Sequence, residues 1–266
     1  MIPNVLTIAG SEASGGAGAQ VDLRTFHQLG TVGAAALTLV VSFDPNDQWR
    51  HRVHPIPPEV TAAQVEAALG VHPSIDTVKI GMLGSVPMIE TVAKILDGHE
   101  WRNVVVDPVL ICKGQEAGEA LDVDNALREL ILPRATFVTP NLFETETLSG
   151  RSGIDSVEAL VEAAQAIAAH GVPNVYAKLG VDFDEFDAVD VLVGEGHEPE
   201  VLSAPKFGQE KVSGAGCTLA AAVTAELAKG RTPLEAARAA KQFTTAAVAK
   251  RRHGGAPFPM AWQGEP

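Results

Sequence analysis

The chain has 266 residues, with 20 Lys plus Arg against 33 Asp plus Glu and a formal net charge of −13. That balance argues against a nucleic-acid binder held by a broad basic face, but a local nest of backbone amides can still hold a small anion. Apolar residues at 46% and charged ones at 20% exclude wholesale disorder, and two cysteines, Cys112 and Cys217, are too few for a disulfide framework and lack any zinc-ligand spacing.

Residues 5–9 read as a buried strand that runs into the glycine-rich turn Gly10-Ser11-Glu12-Ala13-Ser14-Gly15-Gly16-Ala17-Gly18, followed by a helix over 19–29. A second strand is expected over 36–43, a helix over 60–69 after Pro57-Pro58, a strand over 77–80 and a helix over 86–96. Strand 103–106 ends at Asp107-Pro108, helix 121–131 follows, and strand 135–138 ends at Thr139-Pro140-Asn141. Helix 157–169 stops at His170-Gly171, strands are expected over 174–178 and 189–193, and helices over 215–228 and 233–250 close the pattern. From Gly254 onward the Pro/Gly content predicts a loose tail.

Buried strands alternating with helices imply an α/β fold of three layers, α-β-α, with a mostly parallel central sheet covered on both faces. A single domain over 1–266 is the economical reading, since no repeat or linker interrupts the pattern. The N-terminus shows no basic region followed by an apolar stretch, and the longest apolar run, 34–43, is too short to span a bilayer. A reducing, cytoplasmic setting with no membrane and no nucleic-acid partner is therefore expected.

Ligands of an open parallel sheet sit outside the carboxyl ends of its strands. Asp44-Pro45-Asn46-Asp47, Gly81-Met82-Leu83, Asp107-Pro108, Thr139-Pro140-Asn141 and Lys178-Leu179-Gly180 all fall at such ends. The first glycine loop is not a dinucleotide fingerprint, because the third glycine would fall on Val21, and it lacks the Lys-Ser/Thr of a Walker loop. A stronger signal is Ser213-Gly214-Ala215-Gly216-Cys217-Thr218, which opens a helix of small residues. Amides at a helix N-terminus form an anion hole, and the helix field there is expected to lower the Cys217 pKa. An inert buried cysteine is the plain alternative.

Together these motifs resemble the ribokinase-like superfamily, and within it the branch of hydroxymethylpyrimidine (phosphate) kinases and bacterial pyridoxal kinases. The matching segments are Thr7-Ile8-Ala9-Gly10-Ser11, Ser14 to Gly18, Lys79-Ile80-Gly81-Met82-Leu83, Asp107-Pro108-Val109, Thr139-Pro140-Asn141-Leu142-Phe143-Glu144 and Gly214 to Thr218. Cys112-Lys113-Gly114 resembles the pyridoxal-kinase subgroup with a lid cysteine. Phe43 stands where pyrimidine kinases usually place a glutamine.

The resemblance implies a homodimeric kinase that moves the ATP γ-phosphoryl to the 5′-hydroxymethyl of pyridoxal, pyridoxine or pyridoxamine. It makes Cys217 the general base, with the amides of Gly214, Ala215 and Gly216 as the anion hole. Cys112 becomes a lid thiol able to form a hemithioacetal with the pyridoxal aldehyde. Asn141, Glu144, Lys178 and Lys241 fall on the nucleotide side, and Asp107 and Glu144 on Mg²⁺. Gly18, Phe43, His51 and Met82 fall on the acceptor side.

Plainer readings stand beside these. Asn141 and Glu144 fit a helix cap and its capping-box partner, Lys178 a solvated surface lysine, Lys241 an exposed helix lysine, and Phe43 and Met82 plain core. Glu12, Ala13, Leu179 and the pair Val212-Ser213 depart from the family pattern. The rivals to a vitamin B6 kinase are a hydroxymethylpyrimidine kinase and a non-catalytic ligand sensor on the same fold.

Overall fold

The computed structural model describes residues 2–110, 117–180 and 187–264. Nine strands form one sheet in the order β3-β2-β1-β4-β5-β6-β7-β8-β9. They are β1 (Asn4–Glu12), β2 (Val32–Asp44), β3 (Arg50–Pro55), β4 (Thr77–Ile80), β5 (Asn103–Val106), β6 (Phe137–Val138), β7 (Asn174–Lys178), β8 (Asp187–Gly194) and β9 (Glu200–Pro205). The run from β2 through β1, β4, β5 and β6 to β7 is parallel, while β3, β8 and β9 add antiparallel edges. The expected mostly parallel sheet is therefore present.

The helices are α1 (Ala19–Gln28), α2 (Pro58–Val71), α3 (Val86–Asp97), α4 (Ala117–Ala126), α5 (Leu142–Ser149), α6 (Val157–Ala168), α7 (Ala215–Ala228) and α8 (Pro233–Ala249). Strand alternation divides the core in two. Val104, Val106, Val138, Val175 and Ala177 face one layer with α3 and α6, while Val105, Phe137 and Tyr176 face the other with α7 and α8. Helix α7 is buried nearly all round, which its run of alanines permits because no long side chain keeps its neighbours apart.

Several expectations are corrected here. Strand β2 begins four residues earlier than the apolar run suggests. Strands β3 and β9 were unforeseen, because β3 is almost wholly exposed and β9 turns only Leu202 and Ala204 inward, too short an alternation to stand out. The single helix over 121–131 resolves into α4, a π-helical turn Leu127–Ile131 and a 3₁₀ turn Leu132–Arg134 at the proline.

The loose tail is not loose. Its backbone pairs with Ser213 and Arg252 through Met260, Trp262 donates to the Ala247 carbonyl, and Ala261 and Gln263 are buried. No described helix is long and apolar enough to cross a membrane.

The chain enters the sheet at β1, moves outward to β2 and β3, then returns to β4 on the other side of β1. That reversal opens a crevice at the carboxyl ends of β1 and β4.

Candidate active site

Two glycine loops meet at this crevice. Gly214 caps α7 in a left-handed conformation (φ 77°), and a Cβ there would collide with the Gly16 carbonyl oxygen. Gly18 caps α1 with φ 65°, and a Cβ there would strike the Gly10 carbonyl. The Gly18 amide donates to the Cys217 sulfur. Glu12 braces the first loop, its carboxylate accepting from the Ser14 amide at 2.6 Å and the Ser14 hydroxyl at 2.9 Å. The glutamate at this departure point therefore has a defined structural role.

Of the amides expected to form the anion hole, that of Ala215 donates to the Val212 carbonyl at 3.3 Å, while Gly214 at the cap and Gly216 and Cys217 in the first turn have no intrahelical acceptor. Gly216 faces the cation of the neighbouring loop. A Cβ on it would sit 3.4 Å from Lys178 Nζ and 3.9 Å from Asp107 Oδ2.

Lys178 is not a surface lysine. Its side chain is 14% exposed and Nζ lies 3.2 Å from Asp107 Oδ1, which also accepts from Thr139 Oγ1 at 3.3 Å. Burial opposes ionisation of Asp107, but Lys178, Lys79 and Thr139 outweigh it and hold the carboxyl below its usual range. Asn141 and Glu144 form a complete capping box at the start of α5. The Lys178 amide donates to the Pro140 carbonyl, which fixes this cap beside the end of β7. Burial pushes Glu144 up to about 7, Lys178 opposes that and Asp107 adds to it.

These groups suit a hard cation. Asp107, Glu144 and Asn141 offer oxygen donors, two of them carboxyl groups. Among the described residues no cluster of three His, Cys, Asp or Glu could hold a metal alone. A cation here would rely on phosphate oxygens and water for its remaining ligands, as Mg²⁺ commonly does.

The lowered pKa expected for Cys217 is corrected. Burial pushes the thiol up to about 11, and Asp107 and Asp22 add to the rise, which Lys79 and the Gly18 amide oppose without prevailing.

Lys79 and Asp22 are functional-site neighbours that sequence reasoning missed. Lys79 Nζ lies 3.0 Å from Asp22 Oδ2, both side chains are fully buried, and Thr7 Oγ1 donates to the same oxygen at 2.7 Å. A lysine inside the four-residue strand β4 and an aspartate on the inward stripe of α1 were the available signals. Two charges on two apolar faces call for each other.

A cavity of about 640 Å³ opens on the far side of α7, lined among others by Asn141, Glu144, Lys178, Gly216, Asp190 and Lys241. Lys241 is buried, not an exposed helix lysine. Its Nζ donates to Asp190 Oδ2 at 2.6 Å and to the Ala188 carbonyl at 2.9 Å. Asp190, a second residue missed from sequence, also accepts from Tyr176 Oη and from the Leu179 and Gly180 amides. Leu179 packs into the core at 1% exposure, and it also contributes to the cavity wall where the family pattern has a glycine.

Beyond the first glycine loop, Phe43 and His51 are register partners of the β2–β3 hairpin, their rings 4.8 Å apart. Phe43 also meets Phe258 at 5.8 Å. Met82 follows β4, half-buried, its carbonyl accepting from Thr38 Oγ1 at 2.7 Å. Cys112 and Lys113 lie outside the described residues.

Residues 12–259 match the phosphomethylpyrimidine kinase family. The chain belongs to that family. It is 46% identical over 245 residues to the pyridoxine kinase of Bacillus subtilis, covering 91% of this chain and 89% of that one. Against the hydroxymethylpyrimidine/phosphomethylpyrimidine kinase of Haemophilus influenzae the identity is 38% over 250 residues, with 93% and 91% covered.

Among solved structures, an ADP complex of Bacillus subtilis pyridoxal kinase superposes with a TM-score of 0.92 at 42% identity, over 99% of this chain and 98% of that one. Staphylococcus aureus pyridoxal kinase in complex with AMP-PCP and pyridoxal gives 0.91 at 37% identity, over 99% and 94%. The α/β architecture of this family member is the ribokinase-like fold of those enzymes.

Proposed function

We propose that this family member is an ATP-dependent pyridoxal kinase that phosphorylates the 5′-hydroxymethyl of pyridoxal and of its alcohol and amine relatives. The observation that carries the reading is the position of α7's first turn. Cys217 meets Gly18 of the acceptor loop, while Gly216, its neighbour, meets Lys178 and Asp107 on the cavity side. One helix tip thus lies between a site for an alcohol and a site for a nucleotide.

In the reaction the acceptor oxygen forms a bond to the γ-phosphorus as the bond to the leaving ADP oxygen breaks, and the hydroxyl proton passes to the Cys217 sulfur. The proton acceptor must be a thiolate. The Gly18 amide and Lys79 favour it, burial and the neighbouring carboxylates oppose it, and activity is expected to climb on the alkaline side. The Gly214, Gly216 and Cys217 amides, with Lys178, stabilise charge developing on the transferred group. Asp107 and Glu144, with Asn141 beside them, would hold Mg²⁺, which would supply charge neutralisation for the phosphates.

Phe43 favours pyridoxal over the aminopyrimidine, because a phenyl ring cannot hydrogen-bond an amino group. The higher identity to the pyridoxine kinase supports the same choice. His51 and Met82 complete the acceptor side, Lys241 shapes the nucleotide cavity through Asp190, and Cys112 serves as the lid thiol. The same reading makes the chain a single-domain, cytoplasmic homodimer.

Coupled ATP turnover with pyridoxal, pyridoxine and hydroxymethylpyrimidine as acceptors tests it. Turnover with the B6 vitamers is expected. Turnover with the pyrimidine alone transfers the chain to thiamine chemistry, and no turnover with any acceptor refutes the kinase reading.

A further inference from the structure

We infer that the C-terminal segment 258–263 is part of the acceptor site, with Phe258 and Met260 as its wall and Gln263 as the residue that positions them. The inference rests on the kinase reading above. The segment runs as a short bridging strand. The Ser213 amide donates to Pro259 at 2.9 Å, the Ala261 amide donates back to Ser213 at 2.9 Å, and Met260 exchanges both backbone bonds with Arg252. Ser213 immediately precedes Gly214, so this strand holds the catalytic helix tip from behind.

Alternation then sorts the side chains. Pro259 and Ala261 are buried on one face, while Phe258 and Met260 are half-buried on the other. That second face turns toward the acceptor loop and the β2–β3 hairpin. The Phe258 ring stands 5.8 Å from Phe43, tilted by 54°. Met260 packs on the first glycine loop. A Cβ on Gly16 would sit 2.7 Å from both its Cγ and its Sδ, and the Ser14 hydroxyl approaches Sδ at 3.5 Å.

Gly16 is also the residue whose carbonyl faces Gly214. Met260 therefore touches the loop that meets the catalytic helix. A planar heteroaromatic acceptor needs apolar faces to stack on, and Phe43, Phe258 and Met260 supply an aromatic pair with a polarisable thioether beside it.

Gln263 fixes this wall in register with the chemistry. Its side chain is 2% exposed. The amide nitrogen donates to Thr218 Oγ1 at 2.9 Å and to the Ala261 carbonyl at 3.1 Å, and the amide oxygen accepts from Arg24 Nε at 3.0 Å. Arg24 in turn donates to the Gly15 carbonyl. One amide thus ties the residue after Cys217 to the arginine that grips the acceptor loop.

The test is steady-state kinetics of the full chain with pyridoxal and ATP varied separately, on Phe258→Ala, Met260→Ala and Gln263→Ala, with thermal melts as a fold control. Phe258→Leu and Met260→Leu keep the volume and serve if an alanine variant does not fold. For Phe258→Ala and Met260→Ala the acceptor KM is expected to rise about tenfold, the size of a lost ring contact, with the ATP KM unchanged. Gln263→Ala is expected to lower kcat and raise the acceptor KM together, again with the ATP KM unchanged, which a general loss of stability does not produce. If both KM values move in parallel, or neither moves, the inference is overturned while the kinase reading stands. If the wild-type chain phosphorylates no acceptor, the kinase reading falls and the inference falls with it.

Discussion

Replacing Lys79 by methionine tests the electrostatics beneath the site. The side chain fits the volume, but it leaves Asp22 fully buried without its cation, and Asp22 Oδ1 already has no hydrogen-bond partner. Breaking a buried pair from one side costs about 3–5 kcal/mol. At about 2–4 °C per kcal/mol for a chain of this size, the midpoint falls by roughly 6–20 °C.

The pH dependence has a definite sign. Burial already raises the Asp22 pKa, and Lys79 and Thr7 oppose that rise. Without Lys79 the pKa rises further, so the carboxyl escapes its penalty by protonating in acid and suffers it as pH rises through the new value. Urea unfolding of Lys79→Met should therefore show a larger deficit near pH 8 than near pH 5. The double variant Lys79→Met, Asp22→Asn should recover most of the loss. A deficit under about 1 kcal/mol, or one that is the same at both pH values, refutes the uncompensated-charge argument.

Three further outcomes follow from the site. With the Cys217 thiol pushed up to about 11, its alkylation by iodoacetamide should climb about tenfold per pH unit across the neutral and mildly alkaline range. Site-resolved mass spectrometry on a Cys112→Ser background reads this, and a plateau near neutrality contradicts the burial argument. Cys217→Ala should lose a factor of roughly 10²–10⁴ in kcat, and an unchanged kcat in a folded variant removes the sulfur from the proton transfer. Glu144, raised to about 7 in the metal-free fold, contributes stability that is fully present below its unfolded value near 4.5 and is lost as pH rises through about 7. Glu144→Gln should abolish that decline in chemical denaturation, and a wild-type stability that stays flat from acid to neutral pH argues against it.

The parallel centre of the sheet was readable because β4 and β5 are short Val/Ile-containing strands between turn residues, buried along nearly their whole length as strands covered on both faces must be. The edges were not. Strand β3 carries Arg50, His51, Arg52 and His54, so only pairing with β2 reveals it. The positions of Asn141, Glu144, Lys178 and Gly216 around one cavity could be anticipated, since all lie at strand ends or helix starts.

Burial was the missing quantity elsewhere. The helix position of Cys217 is visible in Gly-Ala-Gly, but the desolvation that raises its pKa comes from α1, β4 and β5 packed around it. Lys241 looked exposed because α8 alone does not show that Asp190 from β8 is waiting for it. The tail looked loose because Pro and Gly signal turns equally well in a packed strap.

Helix α7 behaves as a rigid rod set in a tight sleeve. Ala220, Ala221 and Ala222 have no exposed surface, and the helix packs on α1, α8, β1, β4 and β5. A larger residue at any of these alanines overpacks the sleeve, at about 1–3 kcal/mol. Cys217, at the start of the rod, shares the helix with these alanines. Substitutions about one turn from the chemistry are therefore expected to shift the reacting groups themselves, and this stretch of α7 is a costly place to add a methyl group.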